Sequence, residues 1–338
     1  MNARPEKILA LQFKYFGDAV LMTPALRALH EYVPQAEMHL LVPEEIAPIF
    51  QRLPWLDRIW LMPRRRGRIS PGETWPIIRA LRREHFDRSV DFAGNDRGAI
   101  VSLLVGARQR LGCVEPGGFW GRRFCYNRRV RLRKETQHES VRLASLLSAW
   151  GVTPSSLEPE IHADPALSGP AEKILPERSL LCHVASSQPK KEWPLRSWAE
   201  LYRLAAGAGL RIAFTTARGE REQALMLELK KLAPEATVLP AISELPLFLA
   251  VVNRAAVFIS GDTGPLHFAA GLGVPTIALF GPTSAAQWAP TGKRHRTLTG
   301  NLCGCDGNSP VCYGANHCLA AISPESVFAA LREMLAVR

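Results

Sequence analysis

Along this chain, short apolar runs alternate with stretches in which apolar residues recur every three or four positions. Residues 7–13 (KILALQF) are an apolar run of strand length, and leucines and alanines follow at helical spacing over 19–32. The alternation continues with a strand at 38–42, a short helix at 44–52, a strand at 59–62 and a helix at 74–84. A strand within 86–92 (FDRSVDF) and a helix at 97–105 come next. Near-continuous apolar strands alternating with helices predict a parallel sheet covered on both faces.

The pattern pauses at 151–170 (GVTPSSLEPEIHADPALSGP), where Pro, Ser and Gly crowd together, and this stretch predicts a linker. It then restarts, with strands at 179–184, 210–215, 256–260 and 276–280. Helices fall at 197–208, 220–232, 243–253 and 265–271. Ser323 and Pro324 open a last helix, as a capping residue followed by proline at the first helical position. The expectation is α/β, with domains at 1–165 and 166–322 and a terminal helix at 323–338. Two open sheets in tandem leave a cleft between them, and ligands of such sheets bind beyond the carboxyl ends of the strands.

Composition narrows this. The 338 residues suffice for two domains; 47% are hydrophobic and 22% charged, a globular balance. The formal net charge is +11, with 25 Lys+Arg against 18 Asp+Glu up to residue 165 and 17 against 13 beyond it. This balance favours acidic partners: nucleic acid, an anionic membrane surface or phosphorylated substrates. The opening MNARPEKILALQFKYFGDA lacks the long apolar core of a signal peptide, and no window of eighteen apolar residues suggests a membrane span. A cytoplasmic chain is expected, and seven cysteines, an odd number, then read as mostly reduced thiols.

Four loops after strands carry candidate chemistry. In QFKYFGDAVLMTP, Gly17 and Asp18 stand at the turn into the first helix. The G-x-G-x-x-G of a dinucleotide site is absent there, which disfavours a dehydrogenase, and Asp18 is either a general base or a helix cap. In HVASSQPKKEWP, Ser186, Ser187, Lys190 and Lys191 follow a strand. Hydroxyls and ammonium groups there suit a pyrophosphate, against the plainer reading of a solvated loop. In SGDTGPLHFAAGLGVPTIALFGPT, Asp262, Thr263 and Gly264 precede a helix start whose N–H groups and dipole suit a phosphate; Asp262 or Thr263 as a simple cap is the alternative. His267 in that helix is a core residue or a ligand contact. Cys303, Cys305, Cys312 and Cys318 do not have the paired spacing of common zinc sites.

Together GDAVLMTPALRAL and SGDTGPLHFAAGLGVPTIALFGPT resemble the signature segments of glycosyltransferase family 9, the lipopolysaccharide core heptosyltransferases. FDRSVDF, GARQRLG, HESVRLASLLSAWGV, KKEWP and CLAAISPESV agree in order along nearly the whole chain, and QFKYFGDAVLMTP is most similar to the third-heptose branch. The resemblance implies a GT-B architecture, two Rossmann-like domains facing across a cleft, with the final helix returning to the first domain. It implies inverting, metal-independent transfer of heptose from ADP-heptose to the phosphorylated inner core of lipopolysaccharide. No cofactor is implied. Asp18 matches the catalytic base; Ser186, Ser187, Lys191, Asp262, Thr263, Gly264 and His267 match the donor site, and Glu220 matches a glutamate near the nucleoside. Lys14 and Tyr15 depart from the pattern, standing where better-known members carry two small hydroxyl residues.

The arginines of RRRGR (Arg64, Arg65, Arg66) and GRRF (Arg122, Arg123) are acceptor-side candidates, for core phosphates or for anionic headgroups at the inner membrane. Solvated surface is their alternative. The same fold with another nucleotide sugar or glycan acceptor, and a nucleotide-binding protein without catalysis, are the competing readings. No RNA-binding signature supports a nucleic-acid partner.

Overall fold

The computed structural model describes residues 4–63, 71–114, 117–132, 137–300 and 318–336. The chain divides into two compact units, Met1–Ile161 and His162–Arg338. The first runs β1 (Lys7–Leu11), α1 (Phe16–Leu21), α2 (Thr23–Tyr32), β2 (Glu37–Pro43), β3 (Arg58–Met62) and α3 (Pro71–Arg83). It continues with β4 (Arg88–Asp91), α4 (Asp96–Val105), β5 (Gln109–Cys113), β6 (Arg128–Val130) and α5 (Glu139–Ser145). Its strands form one parallel sheet in the order β3-β2-β1-β4-β5-β6.

The second unit runs α6 (Ser168–Ile174), β7 (Leu180–His183), α7 (Leu195–Gly207), β8 (Ile212–Thr215), α8 (Glu220–Leu232) and β9 (Thr237–Val238). Then come α9 (Leu245–Asn253), β10 (Val257–Gly261), α10 (Gly264–Gly271), β11 (Thr276–Phe280), α11 (Ala285–Trp288), β12 (His295–Thr299) and α12 (Pro324–Ala336). Its sheet is also parallel, in the order β12-β11-β10-β7-β8-β9. Both are doubly wound, with strand order reversing beside β1 in the first and β7 in the second.

Apolar residues dictate where the strands run. Ile8, Leu9, Ala10 and Leu11 of β1 are fully enclosed, as are Ile277, Ala278, Leu279 and Phe280 of β11. A strand buried on both faces has no polar alternation, which is why these segments read as continuous runs. The helix expected over 19–32 divides at Met22. Pro24 has no N–H for the Val20 carbonyl, and the Thr23 hydroxyl donates to that carbonyl instead, at 2.8 Å. Residues 44–52, expected to be α-helical, hold a 3-10 turn at Glu44–Ile49 with Pro48 inside it. The end of the expected linker is helical, since α6 starts at Ser168. The last helix starts as expected: Ser323 Oγ accepts from the Ser326 N–H at 3.1 Å. α12 packs on α7 in the second unit, where Val327, Leu331 and Met334 join that unit's core.

Candidate functional site

The carboxyl ends of β7 and β10, the adjacent strands where the second sheet reverses, gather most of the predicted donor residues. β10 closes with Ser260 and Gly261; the turn Asp262–Thr263 leads into α10. Thr263 is the N-cap in extended conformation, yet its side chain makes no capping hydrogen bond. Its hydroxyl pairs with Ser260 Oγ at 3.0 Å. Asp262 does not cap either: Oδ2 accepts from Lys191 Nζ at 2.7 Å and Oδ1 lies 3.9 Å from Nε2 of the buried His267. The helix start is left uncapped by side chains, with Pro265 in its first turn fixing the helical entry.

Gly261 makes the approach possible. A Cβ there would stand 2.6 Å from the Lys191 carbonyl oxygen, so only glycine lets the 3-10 turn Pro189–Lys191 lie against the end of β10. The loop leading to that turn is locked by two residues that sequence reasoning missed. Glu192 accepts from the Ser186 N–H at 2.8 Å and pairs with Arg221 Nη1 at 2.8 Å; Arg221 also donates to the Ser186 carbonyl. Ser186 is buried and Ser187 exposed. Lys190 is only 4% exposed, which overturns the solvated-loop reading for that position. Trp193 ends the loop by donating from Nε1 to the Ile322 carbonyl at 3.0 Å and packing edge-on against Trp198.

Glu220 is exposed in the first turn of α8, while its neighbours Arg221 and Glu222 engage the loop region; Glu222 lies 3.6 Å from Arg221. On paired positions of β7 and β8, His183 Nδ1 and Thr215 Oγ1 are buried without a hydrogen-bond partner, as is Thr216 Oγ1 beyond them. Burial holds His183 neutral, its pKa lowered to about 4. Unpaired polar atoms clustered at adjacent strand ends are groups that a polar ligand satisfies.

In the first unit, Asp18 follows β1 as the third residue of α1. The N-cap is Tyr15, so Asp18 is not the capping residue. Its side chain is 13% exposed, and burial pushes its carboxyl above the usual carboxylate range. Lys14, with Nζ 3.8 Å from Oδ1, opposes that shift; Glu139 adds to it and Arg142 counters it. The last two come from α5, which packs against α1. They form a buried bidentate pair, Arg142 donating from Nε at 2.7 Å and Nη2 at 2.6 Å.

Arg122 is not solvated either. It is 6% exposed, with Nη1 3.9 Å from Asp96 and with Nε and Nη2 buried and unpaired. Arg123 is exposed over the Phe124 ring. Arg64, Arg65 and Arg66 lie outside the described residues, as do Cys303, Cys305 and Cys312; Cys318 is buried. Among the described residues no three His, Cys, Asp or Glu side chains gather as metal ligands. A further pair went unread in the sequence. Asp91, enclosed at the end of β4, accepts from the Tyr126 hydroxyl at 2.5 Å and from the Ala93 and Gly94 N–H groups. Burial raises its pKa to about 6. The available signal was a carboxylate ending a strand candidate, FDRSVDF.

A family model described as Glycosyltransferase family 9 (heptosyltransferase) matches residues 74–306. Lipopolysaccharide heptosyltransferase 2 of Escherichia coli K12 is 26% identical over 311 residues, covering 86% of this chain and 87% of that protein. Lipopolysaccharide heptosyltransferase 3 of Escherichia coli is 23% identical over 289 residues, covering 82% and 84%. Among solved structures, a family 9 glycosyl transferase of Veillonella parvula superposes with a TM-score of 0.85 at 20% identity, covering 100% of this chain and 99% of that one. The Escherichia coli ADP-heptose lps heptosyltransferase II superposes at 0.79 and 20% identity, covering 98% of each chain. These neighbours share the GT-B fold, built from two such Rossmann-like units. Two doubly wound sheets, a helix start uncapped by side chains beside Lys191, and a family match over more than half the length lead to one conclusion: the chain belongs to glycosyltransferase family 9 (heptosyltransferase) and is a glycosyltransferase.

Proposed function

We propose that this enzyme transfers a heptose from ADP-heptose to the inner core of lipopolysaccharide, with inversion at the anomeric carbon and Asp18 as general base. The observation that carries the reading is Lys191 held at 2.7 Å from Asp262 beside the start of α10. It places an ammonium group and a helix N-terminus together, where a departing diphosphate needs positive charge. Asp18 takes the proton of the acceptor hydroxyl as that oxygen attacks the anomeric carbon. Its raised pKa suits the role, because a stronger base drives the transfer further. Thr263 and Gly264 present the helix start to the pyrophosphate. Ser186, Ser187 and His267 line the same donor site, Asp262 orients Lys191 and the turn, and Glu220 faces the nucleoside. Arg122 and Arg123 receive acceptor phosphates, with Arg64, Arg65 and Arg66 assigned the same role.

The relatives named above, heptosyltransferases acting on lipopolysaccharide, support the acceptor class. A further neighbour, Escherichia coli heptosyltransferase WaaC solved with ADP, supports the adenine nucleotide. We place the protein in the cytoplasm, in peripheral contact with the inner membrane where such an acceptor resides. No helix among the described residues is long and apolar enough to cross a membrane.

Calorimetry with ADP, UDP and GDP, beside turnover of ADP-heptose by wild type and Asp18→Asn, tests the reading. It requires preference for ADP, and an Asp18→Asn enzyme that binds ADP but turns over about 10²- to 10⁴-fold more slowly. Preference for UDP or GDP would overturn the heptose donor, and undiminished turnover by Asp18→Asn would overturn the base.

A further inference from the structure

The exposed apolar side chains of this protein are unevenly placed. Among the described residues, nine of the ten large hydrophobic side chains left exposed belong to the first unit. Six of them, Trp75, Ile100, Leu103, Phe119, Trp120 and Phe124, come from three stretches of chain: α3, α4 and the segment 117–125. α4 packs against both α3 and the 3-10 turn Trp120–Cys125. Trp120 is 83% exposed and Phe124 57%, and their rings lie 5.7 Å apart. Ile100 and Leu103 are one helical step apart on α4, at 40% and 44% exposure. Isolated exposed leucines are ordinary, but indole, phenyl and branched aliphatic groups concentrated on neighbouring elements mark a surface meant to be covered.

The charges around these residues say what covers it. Arg79, Arg82 and Arg83 of α3, Arg123, and Arg128, Arg129 and Arg131 in and after β6 are all exposed; Arg108 is exposed too but pairs with Asp87 at 3.6 Å. Over the same described stretches (71–114 and 117–132) acidic residues are few: Glu73, Glu84, Asp87 and Asp96 are partly buried, the Asp96 side chain being 46% exposed, and Asp91 is enclosed. Of these, Glu84 is taken by Lys7 and Arg58, and Asp96 by Arg122 and the Phe119 N–H. A protein partner that covered this face would have to match seven arginines with a dense acidic patch. An anionic bilayer supplies that charge uniformly and takes the apolar groups as well. Tryptophan and phenylalanine enter the headgroup boundary while arginines meet lipid phosphates.

We propose that α3, α4 and the segment 117–125 form the surface by which this protein docks on anionic lipid bilayers, with Trp120 and Phe124 as the inserted anchors. The inference deepens the peripheral membrane contact of the proposed function, and its test does not depend on the identity of the sugar donor. The full-length protein is co-sedimented with vesicles of phosphatidylethanolamine and phosphatidylglycerol, and with vesicles of phosphatidylcholine alone. The wild type is expected on the anionic vesicles, with Trp fluorescence shifted to the blue and binding weakened by salt. Trp120→Ser/Phe124→Ser is expected to lower partitioning about tenfold or more, as losing two aromatic anchors implies. Ile100→Ser/Leu103→Ser should lower it less, and Arg128→Gln/Arg129→Gln should flatten the salt dependence. ADP affinity measured on the wild type reports the donor site, and retained ADP affinity in each variant reports that it keeps its fold. Wild-type partitioning by the Trp120/Phe124 variant would overturn the proposal, as would equal binding to phosphatidylcholine. Failure of the wild type to bind ADP would instead count against the donor reading, leaving the vesicle result to judge the surface.

Discussion

Replacing Lys191 with alanine separates two roles that the structure gives one ammonium group. Its Nζ lies 2.7 Å from Asp262, and the two side chains are 19% and 10% exposed, so the pair is mostly buried. Removing one partner of a fully buried pair costs about 3–5 kcal/mol. Residual exposure, and His267 Nε2 at 3.9 Å from the other carboxylate oxygen, place this one lower, at about 2–3 kcal/mol. If Lys191 also meets the donor diphosphate, one charge-assisted contact worth about 1.5–3 kcal/mol is lost, or roughly 10- to 150-fold in Kd. The second substitution, Asp262→Ala, distinguishes the two losses. With both charges gone no carboxylate is left unpaired, so the double variant should regain most of the lost stability. Its affinity for ADP should stay low, because the cation is still missing. Urea denaturation gives the first quantity and calorimetry with ADP the second. Near-wild-type ADP affinity in the double variant would refute the reasoning, since Lys191 would then act only as the partner of Asp262.

Three other predictions follow from specific geometry. Asp18 has a folded pKa above its unfolded value, so its ionisation weakens the fold as pH rises from about 4 through the folded pKa. Asp18→Asn should therefore melt no lower than wild type at pH 8, and the acid limb of kcat/KM in the wild type should sit above the ordinary aspartate range. Tyr126→Phe removes the hydroxyl that donates to Asp91 at 2.5 Å. Asp91 ionises near pH 6, and a hydrogen bond to a charged acceptor is worth about 1.5–3 kcal/mol against about 1 for a neutral one. The variant should thus lose more stability at pH 8 than at pH 5 by denaturant titration; an equal loss would place the hydroxyl outside the carboxylate's influence. Gly261→Ala puts a methyl group 2.6 Å from the Lys191 carbonyl. It should cost about 1–3 kcal/mol and weaken ADP binding by displacing the Lys191 turn; unchanged calorimetry would mean the turn tolerates the shift.

The sheet cores were legible because strands buried on both faces cannot hide their composition. The strand at 276–280 and the helix at 220–232 coincide with β11 and α8 to the residue. Most edges were not legible, although β3, an edge strand, was read at 59–62. β5 begins with Gln109 and Arg110, β6 is three residues with two exposed arginines, and β12 reads His-Arg-Thr-Leu-Thr. An edge or near-edge strand buries less, so its side chains need not be apolar, and its pairing comes from the backbone ladder. The same limit governs the site. Asp18, Lys191 and Asp262 announced themselves because a charge in a loop after an apolar strand has few structural reasons to be there. Glu192 and Arg221 are 29 residues apart, and Asp91 and Tyr126 are 35 apart; nothing local joins either pair. Runs of charged residues were the hardest to read, since a binding reading and a solvated reading were weighed for each run as a whole. In a tight turn each residue steps by roughly 100–120° around the axis, so adjacent charges face different surroundings. Lys190 is enclosed while Lys191 meets Asp262, Arg122 is enclosed while Arg123 is exposed, and Glu220 is exposed while Arg221 locks the loop. A charged run at such a turn is therefore best read one residue at a time, each member assigned by its angle rather than by its type.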